Sequence, residues 1–253
     1  MGISSPPFVT PSTLPTRRVT LRAAVLVALA AAACDDDALP APEVSVARVK
    51  AVHAIIDGPA VDVRVDSAVG TVATALAAGA ASDYVTVVPG TERAVLVVGA
   101  GTNTAVIDTV ARFDFAREYS VVATGRAAGT PAPTLLVLND TNSAPALGQF
   151  RLRLVHAAAT VGNVDVYVTP DTVAALPPAA TVANVAFRGN SPYLARPVGN
   201  YRVRVTPAGN RAAVLTDVLT GAVAAGTVAT AYAMDALAPA TAPTVRLVID
   251  RAP

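Results

Sequence analysis

The chain has 253 residues, 53% of them apolar and 15% charged, with a formal net charge of +1. That balance is enough for a packed core and excludes a disordered chain. The lack of a basic run excludes the electrostatic footprint of a nucleic-acid binder. The apolar residues are mostly Ala and Val, with no Trp, 5 Phe and 6 Tyr. With frequent Gly and Pro, they suit short strands and turns better than long helices. Lys50 is the sole lysine; every other basic residue is arginine.

Residues 1–33 are expected to be an export signal. Arg17, Arg18 and Arg22 precede an apolar run at 23–33, and no acidic residue lies before Cys34. Eleven apolar residues span about 16 Å as a helix, too short for a hydrocarbon core of about 30 Å, so the run reads as a signal h-region. Ala31-Ala32-Ala33-Cys34 resembles a bacterial lipobox, with Ala where Leu usually stands. The one cysteine of the chain therefore sits where lipidation would make it the new N-terminus. The alternative is ordinary cleavage after an Ala-x-Ala site. Thr16 to Arg22 also resembles a twin-arginine signal, although Thr20 stands where an aromatic is usual. A general-secretion n-region fits the same residues equally well. The expected location is the cell envelope, with the membrane as partner through the Cys34 lipid and the chain facing the periplasm or the cell surface. A single cysteine leaves the mature part no disulfide.

An acidic, Pro-containing tether at 34–43 leads into a pattern stated twice. Val49-Lys50-Ala51-Val52-His53-Ala54 with Val61-Asp62-Val63-Arg64-Val65 returns as Leu152-Arg153-Leu154-Val155-His156-Ala157 with Val164-Asp165-Val166-Tyr167-Val168. His53 to His156 and Asp62 to Asp165 are both offsets of 103, and Ser82-Asp83-Tyr84 to Ser191-Pro192-Tyr193 is one of 109. The extra residues fall at 169–178, where Pro170, Pro177 and Pro178 mark a loop. Common order with an insertion in a loop indicates a repeat. Module 1 is placed at 44–143, a linker at 144–148 and module 2 at 149–253.

Val61, Val63 and Val65 alternate with Asp62, Arg64 and Asp66, the period of a half-buried strand. In the first copy, strands are predicted near 45–53, 60–66, 71–76, 84–88, 93–98, 105–113, 119–124 and 134–139. In the second they are predicted near 150–157, 164–168, 182–186, 193–196, 201–206, 213–219, 227–233 and 244–250. About eight strands per copy with turn signals between them predict an all-β fold of two tandem β-sandwiches of immunoglobulin-like architecture.

The Val-His-Ala opening, the Val-Asp-Val element and the later Tyr and Gly-x-x-Arg-Val resemble the domain of unknown function 4397 (DUF 4397) over nearly all of 44–253. That family occurs as tandem copies in exported bacterial proteins, often lipoproteins, and the resemblance implies no established activity. In the first copy Ile56, Arg64 and Glu92 replace the usual Pro, Tyr and Tyr. The second copy keeps Tyr167 and Tyr201 but has Ala159-Thr160 where the first has Ile56-Asp57.

Few residues carry chemistry. His53 and His156 continue apolar rows (Val49, Ala51; Leu152, Leu154), which predicts inward rings bonded to a neighbouring turn and not catalytic bases. A catalytic use would pair His53 with Asp57 or Asp62, and His156 with Asp165. No nucleophile motif or metal-ligand spacing accompanies them, so no catalytic residue, metal or cofactor is expected. Asp35-Asp36-Asp37 reads as solvation. Tyr167, Tyr193 and Tyr201 are the candidate ligand contacts. The expected role is a non-catalytic interaction or scaffold module for an envelope protein, with a polysaccharide-binding module as the alternative. That alternative is weakened by the missing Trp. Exposed, clustered tyrosines would favour ligand binding, and buried ones a scaffold.

Overall fold

The computed structural model describes residues 46–66, 70–237 and 241–253, an all-β chain of sixteen strands. Cys34, the export signal and the tether lie outside the described residues. The strands form four four-stranded sheets. In the first copy they are β1 (Ala47–His53), β2 (Val61–Val65), β3 (Gly70–Leu76), β4 (Val85–Val87), β5 (Gly90–Gly99), β6 (Ala105–Phe113), β7 (Glu118–Thr124) and β8 (Thr134–Asp140). The second copy supplies β9 (Gln149–His156), β10 (Val164–Pro170), β11 (Val182–Val185), β12 (Leu194–Pro197), β13 (Gly199–Pro207), β14 (Thr216–Val223), β15 (Val228–Met234) and β16 (Thr244–Arg251).

Sheet order β4-β1-β7-β8 recurs as β12-β9-β15-β16, and β3-β2-β5-β6 as β11-β10-β13-β14. Each copy is thus a two-sheet sandwich, antiparallel except where β1 runs parallel to β7 and β9 to β15. Period-two alternation sends Val49, Ala51, Val61, Val63, Val65, Val95, Val97, Tyr119 and Val121 into the first core. Phe150, Leu152, Leu154, Val164, Val166, Val203, Val205 and Tyr201 fill the second. Phe113 meets Tyr119 edge-on at 5.2 Å in one copy, and Phe150 meets Tyr201 at 5.2 Å in the other.

The repeat is tighter in space than in sequence. Pairing sets Val97 opposite Val63 and Val205 opposite Val166, so the two fifth strands correspond at an offset of 108. The Gly90/Gly199 match has an offset of 109. Register shifts at Gly90/Arg93 and Asn200/Arg202 lie between these positions, and a bulge absorbs the one-residue difference without turning the valines outward.

The outer faces of the β1 and β9 sheets are buried as well. Val52, Ala54, Val122 and Leu138 of the first copy pack on Val155, Ala157, Tyr232 and Met234 of the second. β1 and β9 therefore have apolar side chains buried on both faces, one towards their own core and one towards the other copy. Between β8 and β16's copy, residues 141–148 are tied down in part. Asn142 donates to the Tyr84 hydroxyl, Arg151 donates to Ser143, and Arg251 donates to the Asn142 carbonyl, while Leu147 stands fully exposed.

Candidate functional site

The repeated histidines end β1 and β9, and each is 1% exposed. His53 Nε2 lies 2.9 Å from the Pro59 carbonyl, and His156 Nε2 lies 2.9 Å from the Gly162 carbonyl. A carbonyl can only accept, so Nε2 carries the proton in both rings. His156 Nδ1 then accepts from the Ala158 N–H at 3.4 Å. Burial is the main cause that lowers both imidazoles below the ordinary 6.5, against the opposing pull of those carbonyls. Neither ring faces a carboxylate at hydrogen-bond distance; each pins the turn that follows its strand.

Asp62 and Asp165 are also bound to backbone. Asp62 accepts the Ala75 N–H at 2.8 Å, and Asp165 accepts those of Asn184 at 2.7 Å and Gly209 at 2.9 Å. Ala75 and Asn184 are left-handed, with φ of 47° and 52°, beside register shifts in the β2–β3 and β10–β11 pairs. A left-handed residue in a strand turns its N–H out of the ladder, and the carboxylate supplies the missing acceptor.

The loop beyond each histidine is held by a carboxylate that changes sides. In the first copy Asp57 accepts the N–H groups of Ala127 and Ala128 at 2.9 and 3.4 Å. Desolvation, the largest single cause, raises the Asp57 carboxyl, but those N–H groups and Arg126 together outweigh it and leave it below its ordinary value. The second copy has Thr160 at the position of Asp57, and Asp235 reaches back from beyond β15 to the N–H groups of Ala159 (2.7 Å) and Thr160 (2.9 Å). The element lost from one loop is replaced from the other.

The three tyrosines do not form a surface cluster. Tyr167 is 3% exposed and Tyr201 6%, the latter donating to the Pro197 carbonyl at 3.0 Å. The inserted segment at 169–178 folds over the outer face of its sheet, where Val173 and Ala174 offer carbonyls to Arg204, the cross-strand neighbour of Tyr167. Neither of these rings is offered to solvent. Tyr193 is half-buried, with its hydroxyl on Asp250 at 3.0 Å.

Tyr193 belongs to a buried polar network at the junction of the two copies. Arg153 donates to Asp140 at 2.5 Å, to Thr230 at 3.0 Å and to the Asn139 carbonyl at 3.1 Å. Asp140 also accepts from Ser120 at 2.6 Å and from Tyr84 at 2.5 Å. The mate arrangement has Lys50 on Asp250, which accepts from Thr230 at 2.6 Å and from Tyr193. Tyr84 lies under Arg48 and Lys50 at 5.1 and 4.9 Å, and Tyr193 under Arg151 and Arg153 at 5.0 and 4.8 Å. Both ion pairs cross from one copy to the other, and the side chains of Lys50, Asp250, Arg153 and Asp140 are at most 3% exposed. Burial pushes the Asp140 carboxyl up against the pull of Arg153, Ser120, Tyr84 and Lys50. Burial also lowers Arg153, but Asp140 overcomes it and holds the guanidinium charged. Tyr84 and Tyr193 are raised, first by burial and then by the nearby aspartates, so both stay protonated donors.

Sequence reasoning did not single out this network. Part of its signal was present: Lys50/Arg153 and Tyr84/Tyr193 fall at the repeat offsets of 103 and 109, while Ser120/Thr230 and Asp140/Asp250 fall at 110, the offset that the pairing of β7 with β1 and of β15 with β9 sets.

No curated protein matches the sequence. Among solved structures, the chain is similar to CBMbc, a family CBM26 module of Amy13K from Eubacterium rectale solved with maltoheptaose. The identity is 13%, with 81% of this chain and 98% of that one covered, at a TM-score of 0.26. A leucine-rich repeat protein from Bacteroides thetaiotaomicron is also similar at 13% identity, covering 74% of this chain and 25% of that one, at a TM-score of 0.19. The family model of the domain of unknown function DUF4397 matches residues 47–167, from the start of β1 into β10.

Proposed function

We infer that this chain is a non-catalytic cell-envelope lipoprotein whose two DUF4397-like modules act as one rigid interaction or scaffold unit. The observation that carries this reading is the junction. Two cross-copy ion pairs and an apolar cluster lock the sandwiches face to face, which suits a platform of fixed geometry. Among the described residues, the buried Lys, Arg, His and Asp side chains are bonded to a turn, to the inserted segment or across that junction. A partner, whether envelope protein or polysaccharide, is then met by exposed loops and sheet edges. Lipid on Cys34 would tether this platform to the membrane after export.

Three measurements test it. Palmitate labelling should disappear in a Cys34→Ala variant; label that persists would remove the lipoprotein assignment. A photo-crosslinking residue at Phe115, which is 66% exposed, should capture the same envelope neighbour in intact cells across repeats. Turnover of a substrate by the purified chain would refute the non-catalytic reading.

A further inference from the structure

The two copies are related at their junction by an approximate exchange, so each feature at one end has a mate at the other. One pair of mates differs in whether a side chain bridges the junction. The loop before β12 carries Phe187 and Arg188, and the loop before β4 carries Ala78 and Gly79 at the same repeat positions. Both loops have the same course: the Gly79 N–H donates to the His53 carbonyl at 2.8 Å, and the Arg188 N–H to the His156 carbonyl at 2.7 Å. Both residues are left-handed, with φ of 77° and 68°. Arg188 spans the junction at its end, stacked on Phe187 at 4.9 Å and donating to Thr124 of the other copy at 3.2 Å.

At the other end Gly79 has no side chain to reach across. A cleft of about 490 Å³ opens there between the loop at 77–80 with Ile56 on one side and Met234, Leu237 and Val245 on the other. A Cβ on Gly79 would meet only Ile56 Cδ1, at 3.9 Å. Arg246 stands exposed at the wall, and among the described residues no carboxylate pairs with it. The site is therefore apolar with one cation available, the charge complement of an apolar body bearing one anionic group.

We propose that this cleft binds a small apolar carboxylate, with its hydrocarbon or aryl body between the Gly79 loop and Met234 and its carboxylate on Arg246. The inference goes beyond the scaffold reading and stands without it. Arg246 also borders a second hollow lined by Val218, Leu219 and Leu247, so the test must separate the two.

The probe is 3-phenylpropionate, titrated into the purified full chain by ligand-observed NMR, with 3-phenylpropanamide as the uncharged control. A Kd on the order of 1 mM or tighter is expected for the acid, and binding roughly tenfold weaker for the amide. Arg246→Gln should weaken the acid to the level of the amide. Gly79→Arg writes the residue of the mate loop into an open left-handed position, and should fill the cleft and abolish binding of both probes while the chain stays folded. Equal affinity for acid and amide, or no binding of the acid by the unaltered chain, would overturn the proposal. So would binding lost in Arg246→Gln but kept in Gly79→Arg, which would place the ligand in the second hollow.

Discussion

The core inside each sandwich and the junction between the sandwiches are built on opposite faces of the same strands by different chemistry. Inside, β1 offers Val49, Ala51 and His53, and packing is almost wholly apolar. Outside, it offers Lys50 and Val52, with Ala54 just past its end, and a buried cation is part of the seal. An apolar core tolerates many arrangements of similar volume. Two buried charges on each side, each ion-paired to the other copy, favour one register and one orientation. The difference teaches that adhesion and specificity can be assigned to separate faces of one strand, with the ion pairs setting the specificity at a cost in desolvation.

The largest way to break this comparison is to orphan one junction charge. Asp140→Ala leaves Arg153 buried beside Thr230 and should destabilise the chain by about 3–5 kcal/mol, read by denaturant unfolding. Replacing Lys50 and Asp250 together by Met and Leu should cost far less than either replacement alone, because no charge is left unpaired. Additive losses would show that the pair does not act as a unit.

On the inner face, His53→Ala and His156→Ala should each cost about 1–3 kcal/mol through lost packing and an unpaired turn carbonyl. Thermal unfolding of the full chain would read this. The same rings predict a pH effect. Their folded values lie below 6.5, so between the folded value and 6.5 the unfolded chain binds more protons. Their contribution is full above 6.5 and is lost as pH falls through the lowered folded value. The thermal midpoint should drop on acidification below 6.5, and a His53→Gln, His156→Gln variant should flatten that limb. An unchanged slope would exclude the histidines as its source.

The loop carboxylates give a smaller effect. Asp235→Ala removes the acceptor of two backbone N–H groups and should cost about 1–2 kcal/mol. Asp57→Ala should cost less, because Asp57 is more exposed to water. The smallest effect is expected from Thr124→Val, which removes the acceptor of the half-buried Arg188 and one donor to the Thr134 carbonyl. It should cost about 1 kcal/mol or less.

The strands were legible because valine alternation and turn residues mark each of them. The segment predicted near 105–113 is β6 itself, and that near 60–66 differs from β2 only at its ends. The two-sandwich fold follows from the same marks. The junction was not legible, and the reason is local: Lys50 between Val49 and Ala51 has the pattern of a solvent-facing position, and alternation cannot distinguish water from a second module. Tyr167 shows the same limit. It lies on the outward parity of β10, but the inserted segment covers that face. Asp235 could not be matched to Asp57 by alignment, because it reaches the equivalent loop from the opposite strand end. Only the recurrence of Lys50/Arg153 with Asp140/Asp250, at offsets of 103 and 110, carried information about the contact, and it required comparing charges across copies instead of along one strand.

The burial of Lys50 has a practical consequence. It is the one lysine side chain of the protein, and it is 1% exposed with its ammonium on Asp250. Acylating reagents need a free, deprotonated amine, so lysine-directed labels and spacer-arm crosslinkers should leave this side chain untouched while the copies remain closed. A surface search for neighbours by that chemistry would return silence even with a partner in place. The same property makes Lys50 a clock: its acylation, read by peptide mass, should advance only as fast as the junction opens and exposes the amine.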